Sequence, residues 1–468
     1  RGTYTNTSTN LAKTNCSICA ANTYQDEKGK LSCKTCPNGT FTLVVTPASK
    51  MFHDTTIKCF SSNKVCPFND VDNKFILSES CAIYKTFQIK QSVSIIGNGD
   101  NITITSAGFG RIFRIEVGKI LSLENVTLTA RRDDKCNAES EDFSCNNGGV
   151  LVGKNATFNA KRTIFTLNQH LVGSAIYGYE NSTIQLEQSM FHHNYAAEKG
   201  AVVYLEKKSR LLIDDCTFFE NRLLDSGYSS TPAQGTVIYG EDYLHLLITN
   251  SLFEKHQRAL SYSSYSPSSS LSSYHDGGVL YSGKFANITF INCNFNENDA
   301  NKGGVAFVDE RSNVTFTTCT FKRNEAKSDG GVVYLKSNGN IEFHQCIADE
   351  NSLTATTSSY SGTISAGDGS ILYSEGPGSV IVSNSSFRNN TAGEGCIYLK
   401  LATISLRVVN THFMHNKAYT NGGAIYRTLG YSSTPTSTKL VVIKNCTFTN
   451  NVAGYEYNYA STSSVYNK

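Results

Sequence analysis

The chain has 468 residues, with 42 Lys and Arg against 39 Asp and Glu, so its net charge is only +3. That balance excludes the electrostatic footprint of a nucleic-acid or anionic-membrane binder, and no run of 18 apolar residues could cross a bilayer as a helix. Trp is absent, while Tyr and Phe number 25 each, a composition that favours strands and is thin in helix formers.

The opening Arg1-Gly2-Thr3-Tyr4 is polar and shows no secretion leader, as expected of a mature or trimmed N-terminus. Asn-x-Ser/Thr occurs at twelve positions: Asn6, Asn15, Asn38, Asn101, Asn125, Asn155, Asn181, Asn287, Asn313, Asn384, Asn389 and Asn445. Fifteen cysteines, seven of them before residue 82, fit an oxidising compartment. Together these predict a protein secreted by a eukaryotic cell, extracellular or at the cell surface, with covalent glycans.

Residues 1–82 form a cysteine-rich segment holding Cys16, Cys19, Cys33, Cys36, Cys59, Cys66 and Cys81. Two Cys-x-x-Cys pairs could hold one zinc. The alternative is a small module stapled by disulfides because it is too short to bury much core. Sequons at Asn15 and Asn38, beside the two pairs, favour disulfides, whose connectivity stays open. The pieces Cys-x-x-Cys-x-x-Asn-Thr-Tyr and Cys-x-x-Cys-Pro-x-Gly-Thr-Phe resemble ephrin-receptor and tumour-necrosis-factor-receptor cysteine-rich modules over about 30 residues. Cys136 and Cys145, in a polar loop, are expected to close a local bridge.

From about Phe87 the chain is periodic. Glycine, a small residue, two apolar residues and an aromatic or apolar residue recur from Gly148, Gly173, Gly200, Gly235, Gly277, Gly303, Gly330, Gly369 and Gly422, with a variant at Glu394. The starts lie 25–28 residues apart except for intervals of 35, 42 and 39, which carry insertions. A second signature, [Cys/Ser/Thr]-x-Phe-x-x-Asn, falls in the same periods, as at Cys293/Phe295/Asn298 and Cys319/Phe321/Asn324. His256 replaces its Asn after Phe253, and Ala348 replaces its Phe before Asn351.

Runs such as Asn313-Val-Thr-Phe-Thr-Thr318 alternate at period two, the mark of a strand with one buried face. A period near 26 residues holds three short strands and their turns, one rung of a solenoid. Stacked rungs pair each strand in parallel with its copy, so Phe is expected to stack on Phe inside and Asn to bond backbone groups at an inward turn. About a dozen rungs at roughly 4.8 Å each make a rod on the order of 60 Å long. The fold class is therefore all-β, a parallel β-helix over residues 83–454, preceded by the cysteine-rich module and followed by a Tyr/Ser/Asn-rich tail, 455–468, that caps the coil or meets a neighbour. These stretches resemble right-handed β-helix proteins of the pectate-lyase-like superfamily, and the paired-glycine and FxxN motifs resemble polymorphic outer-membrane-protein repeats. That resemblance implies the fold over about 370 residues and leaves function open, since adhesins, polysaccharide enzymes and scaffolds share it.

Cys293, Cys319 and Cys346 repeat one motif position in adjacent rungs and read as small buried residues, with an inter-rung disulfide as the alternative. Insertions at 227–233, 261–274, 354–366 and 430–436 are Ser/Thr/Tyr-rich, either a partner surface or tolerated loops. Acidic residues are not expected to recur at neighbouring-rung positions, and only one ring of His192-His193 is expected to face out. No catalytic, metal or cofactor site is expected. The functional expectation is a non-enzymatic structural surface glycoprotein, assembling end to end with itself or with other surface glycoproteins through strand edges open at both ends. An adhesin or receptor ectodomain is the second reading, and a carbohydrate-active enzyme the third.

Overall fold

Alternation at period two, repeated every rung, gives each strand one face to bury, and only its copies above and below can bury it. The computed structural model describes residues 65–99, 101–106, 110–130, 147–224, 233–257, 275–357, 364–401, 404–428 and 440–454, with the backbone of six short strands before residue 62. Three long parallel sheets of 13, 13 and 12 strands run side by side as an all-β coil, with no helix among the described residues. One rung serves for all. Asn313–Thr317 lies in the long-strand sheet, Thr320–Lys322 in the second, Glu325–Ala326 in a minor six-stranded sheet and Val333–Leu335 in the third. Pairing is in register, so Asn313 meets Asn340 and Phe321 meets Ala348.

Phenylalanines of the second sheet form a stack inside the coil, Phe165 on Phe191, Phe218, Phe253, Phe295 and Phe321, with centroids 4.6–5.3 Å apart. At Ala348 the stack is interrupted. Phe343 of the long-strand sheet fills the gap, edge-to-face with both Phe321 and Phe387 at 6.0 Å. Each ring here is fully buried, so the repair keeps the interior filled.

The asparagine three residues after each Phe turns inward and is 0–1% exposed from Asn168 to Asn416. Asn324 shows its full set of partners. Its Nδ2 donates to the Phe295 carbonyl (3.0 Å) and to Asn351 Oδ1 (2.9 Å), while its own Oδ1 accepts from the backbone N–H and Nδ2 of Asn298 at 3.2 and 2.9 Å. The expected asparagine ladder is thus present. At its one replacement, His256 Nδ1 accepts the Asn221 N–H at 3.2 Å, and the fully buried ring is held in its neutral form.

The first rung corrects one expectation. Lys74–Leu77 and Cys81–Ile83 already pair in parallel with Val93–Gly97 and Thr103–Ser106, so the coil takes in residues placed in the module by the boundary at 82. Both signatures are missing from this rung, and only the alternation Lys-Phe-Ile-Leu announces it. This end of the coil also carries a plug. The Phe68 ring sits over it, 5.2–5.8 Å from Phe75, Phe87 and Phe113, and a Cys66–Cys81 disulfide fastens the segment to the rung below.

Asn324→Ala should remove three partners at once and leave the Asn298 N–H and Nδ2 buried without their acceptor. At about 1–3 kcal/mol per stranded group, we expect a loss of about 3 kcal/mol or more, read as a lower denaturant midpoint. His256→Asn should act oppositely. Burial pushes the His256 pKa down from 6.5 to about 3, so the unfolded chain takes up its proton first as pH falls. Stability from this site is present above pH 6.5 and is lost between 6.5 and 3. The variant should unfold at a higher temperature, and thermal melts from pH 7 to 4 should show a smaller acid loss than in the parent.

Candidate functional site on the outer rows of the coil

Because the interior is filled, chemistry with other molecules must use the outward rows, where in-register stacking sets equivalent residues of successive rungs side by side. Three corners turn on a residue in the left-handed region. Asn tolerates that conformation better than other non-glycine residues. Asn101, Asn125, Asn155, Asn181, Asn384, Asn389 and Asn445 all occupy such positions, with φ from 50° to 61°. Asn287 and Asn313 instead open long strands. All nine are solvent-exposed, while Asn6, Asn15 and Asn38 lie outside the described residues. Adjacent amides also bond along the axis, Asn181 Nδ2 to Asn155 Oδ1 at 2.5 Å and Asn445 Nδ2 to Asn410 Oδ1 at 3.2 Å. Eight of the nine flank the long-strand sheet, and Asn389 stands at the corner beyond the second sheet.

The cysteines divide. Cys66 and Cys81 are bridged. The side chains of Cys16, Cys19, Cys33, Cys36 and Cys59, and Cys136 and Cys145 altogether, lie outside the described residues. Cys216, Cys293, Cys319 and Cys346 are buried free thiols. Their row bonds the backbone: Cys293 Sγ donates to the Ile291 carbonyl at 3.3 Å, and Ser251 Oγ and Ser385 Oγ accept the N–H groups of Cys216 and Cys346 at 3.1 and 3.0 Å. Thiol and hydroxyl are interchangeable in that role. Burial pushes the Cys216 thiol up to about 12, which suppresses thiolate chemistry.

Outside the third sheet runs a feature the sequence reading missed. The aromatic residue closing each paired-glycine motif points away from the coil and stacks on its copy, Tyr177 through Tyr204, Tyr239, Tyr281, Phe307, Tyr334 and Tyr373 to Tyr398, at 4.8–5.1 Å. Phenol groups donate to carboxylates one rung on, Tyr204 to Glu241 and Tyr334 to Glu375, both at 2.8 Å. Lys199 and Lys302 lie over Tyr239 and Tyr334, each 4.6 Å from the ring centroid. With their faces spent on one another, these rings offer no platform for a sugar.

The same sheet overturns the expectation that acids do not recur on adjacent rungs. Asp329 and Asp368 each precede a motif glycine and Glu394 takes the first position of the variant motif, and the backbone bonds Gly330 N–H to Asp368 O and Gly369 N–H to Glu394 O stack them on three successive rungs. Burial, then the Glu394 and Asp329 charges, pushes the Asp368 carboxyl up to about 7. Its neighbours are engaged: Asp329 accepts from Ser328 Oγ and the Asp368 N–H, and Glu394 from Thr420 Oγ1 and Asn421 Nδ2.

His192 and His193 also depart from expectation. Neighbours in a strand point to opposite faces, but His193 is left-handed (φ 54°), which swings its ring beside that of His192. Their Nδ1 atoms are 2.9 Å apart, and His193 Nε2 lies 3.1 Å from a Glu220 carboxylate oxygen. Burial pushes the His192 pKa down to about 4, so that ring is neutral at physiological pH. Among the described residues, no three His, Cys, Asp or Glu side chains converge as metal ligands. No helix of the described residues is long and apolar enough to cross a membrane. A shallow hollow of about 590 Å³, lined by Asn338, Pro377, Ser379, Ser405 and Leu440 among others, contains no acidic residue.

Residues 131–146, 225–232, 258–274 and 358–363, outside the described set, all connect the second-sheet side of a rung to the third sheet. Three of the four Ser/Thr/Tyr-rich insertions therefore leave and rejoin the coil at one corner.

Residues 278–468 match the family model for the right handed beta helix region. Residues 2–50 match that described as tyrosine-protein kinase ephrin type A/B receptor-like. No curated protein matches the chain. Both family matches fit a surface or extracellular protein.

Asp368→Ala should change the pH profile of folding. A carboxyl whose pKa rises from 3.8 to about 7 binds its proton more tightly when folded, so stability falls as pH rises through that window. Urea melts at pH 4 and pH 8 should show a smaller alkaline loss for the variant than for the parent.

Proposed function

The chain is a right-handed parallel β-helix preceded by an ephrin-receptor-like module, and on that footing we propose that it is a non-enzymatic structural glycoprotein of an extracellular filament, appendage or surface coat. The observation that carries this reading is the exposure of all nine described sequon asparagines on corners or strand starts. Glycans there solubilise the rod and block lateral association, which leaves the ends for assembly. The two ends are unlike. Phe68 and a disulfide stand at the first, where Val65 and Val71 are 62% and 83% exposed, and Leu440, Val441 and Val452 of the last described rung are 70%, 42% and 40% exposed. Contacts between unlike ends propagate without closing, which builds filaments. The acid row fits this reading, because Asp329 and Glu394 accept hydrogen bonds from the next rung and the shallow hollow is lined by none of the three acids.

A second reading, an adhesin or receptor ectodomain, is favoured by the shared corner of three insertions, where varied loops could line one binding edge. Electron microscopy of native, unproteolysed material separates the two. We expect filaments whose axial repeat matches a rod of roughly 60 Å plus its cysteine-rich module. Dispersed single rods at the same concentration would sink self-assembly and favour the binding role.

A further inference from the structure

Outward side chains of the long-strand sheet are mostly polar, and three exposed apolar ones stand among them between Arg210 and Ile291. There Leu212, Leu247 and Ile291 are 37%, 39% and 39% exposed, and Tyr243 and Phe285 are 46% and 38% exposed. Leu212 and Leu247 are register partners. The Tyr243 and Phe285 rings stack at 4.9 Å, and the Arg311 guanidinium carbon lies 5.5 Å from the Phe285 centroid. Both aromatics are left-handed, φ 62° and 59°, in the corner row that Asn155, Asn181 and Asn338 occupy elsewhere. A bulky residue is strained there. The stacked aromatic pair at the corner, and the leucine pair further along the same strands beyond His245, leave exposed apolar surface that calls for a cover.

The cover is in the adjoining row. Asn287 pairs in register with His245, so Leu247 is its diagonal neighbour one rung away, and it follows the corner residue Phe285 by two positions in its own chain. Asn313 pairs with Asn287, which places Thr289 at its diagonal and the corner residue Phe285 two positions before its partner. Diagonal positions are about 7–8 Å apart, within reach of a sugar linked to the asparagine. Both asparagines point outward, are exposed, and open the sequons Asn287-Ile-Thr289 and Asn313-Val-Thr315.

We propose that Asn287 and Asn313 carry N-linked glycans whose first N-acetylglucosamine lies across Tyr243, Phe285 and Leu247, so that the chain's own carbohydrate covers its apolar patch. This inference rests on the glycoprotein reading. Tyr243 covers one face of the Phe285 ring and Arg311 lies over it as well, so the sugar's C–H face and acetamide methyl meet ring edges and leucine methyls. Asn155 and Asn181 differ. Beside them stand Lys154, Glu180 and Thr157, polar neighbours that offer no such seat.

Site-resolved mass spectrometry of native material should find Asn287 and Asn313 occupied. Trimming those glycans to one N-acetylglucosamine should leave the fluorescence of the apolar dye anilinonaphthalene sulfonate unchanged. Complete removal with an amidase should raise it roughly twofold or more. The double variant Tyr243→Asn/Phe285→Asn, which places a corner-tolerant residue in the row, should show no such rise. Should that variant fail to be secreted, nitration of Tyr243 in the native protein gives the same answer, faster after the amidase than before it. Unoccupied sites would overturn this inference and count against the glycoprotein reading. Occupied sites with no rise on removal, a rise that persists in the variant, or unchanged nitration would overturn the seating alone.

Discussion

The buried asparagine amide at the inward turn is the constraint on which the rod depends. Closed off from water, it has two donors and an acceptor that need partners at fixed places. The rung above provides one set and the preceding Phe carbonyl another, as at Asn324. A strand that slipped by one residue would strand these groups on every rung and turn its apolar set outward. Apolar packing alone is more forgiving, as the filling of the Ala348 gap by Phe343 demonstrates. The phenylalanine stack, the Ser/Thr/Cys row and the outer tyrosine stack therefore share one register because the amide permits no other.

Features that the register repeats could be read from the sequence: ten paired-glycine starts, the FxxN row, the parallel coil, and the interchange of Cys with Ser and Thr at one position. Features that depend on a conformational exception could not. His192 and His193 converge because one left-handed residue interrupts the alternation on which outward and inward were assigned. Asp329 and Asp368 sit one residue before the motif's first position while Glu394 occupies it, so no single column of the aligned rungs holds all three acids. The first rung lacks both signatures. The Phe68 plug belongs to no repeat, and only three-dimensional packing assigns it a role.

The corners carry two demands on one residue type. A left-handed turn favours asparagine for backbone reasons, and a glycan attachment site requires asparagine for chemical ones. When a turn asparagine is followed two positions later by a strand Thr or Ser, as at Asn155-Ala-Thr157 and Asn181-Ser-Thr183, both are met without adding a residue. A solenoid with Asn corners and Thr-rich strand starts thus acquires sequons readily, and the coil aligns them along the axis.

The common corner of the insertions separates two measures of length. Successive motif glycines are as few as 25 and as many as 42 residues apart, yet each rung advances the rod by the same strand-to-strand step of about 4.8 Å. Chain length and axial length are therefore independent variables in this protein. Loops can grow or shrink at that edge without changing where any other feature sits along the axis, while gain or loss of a whole rung shifts everything beyond it by one fixed increment.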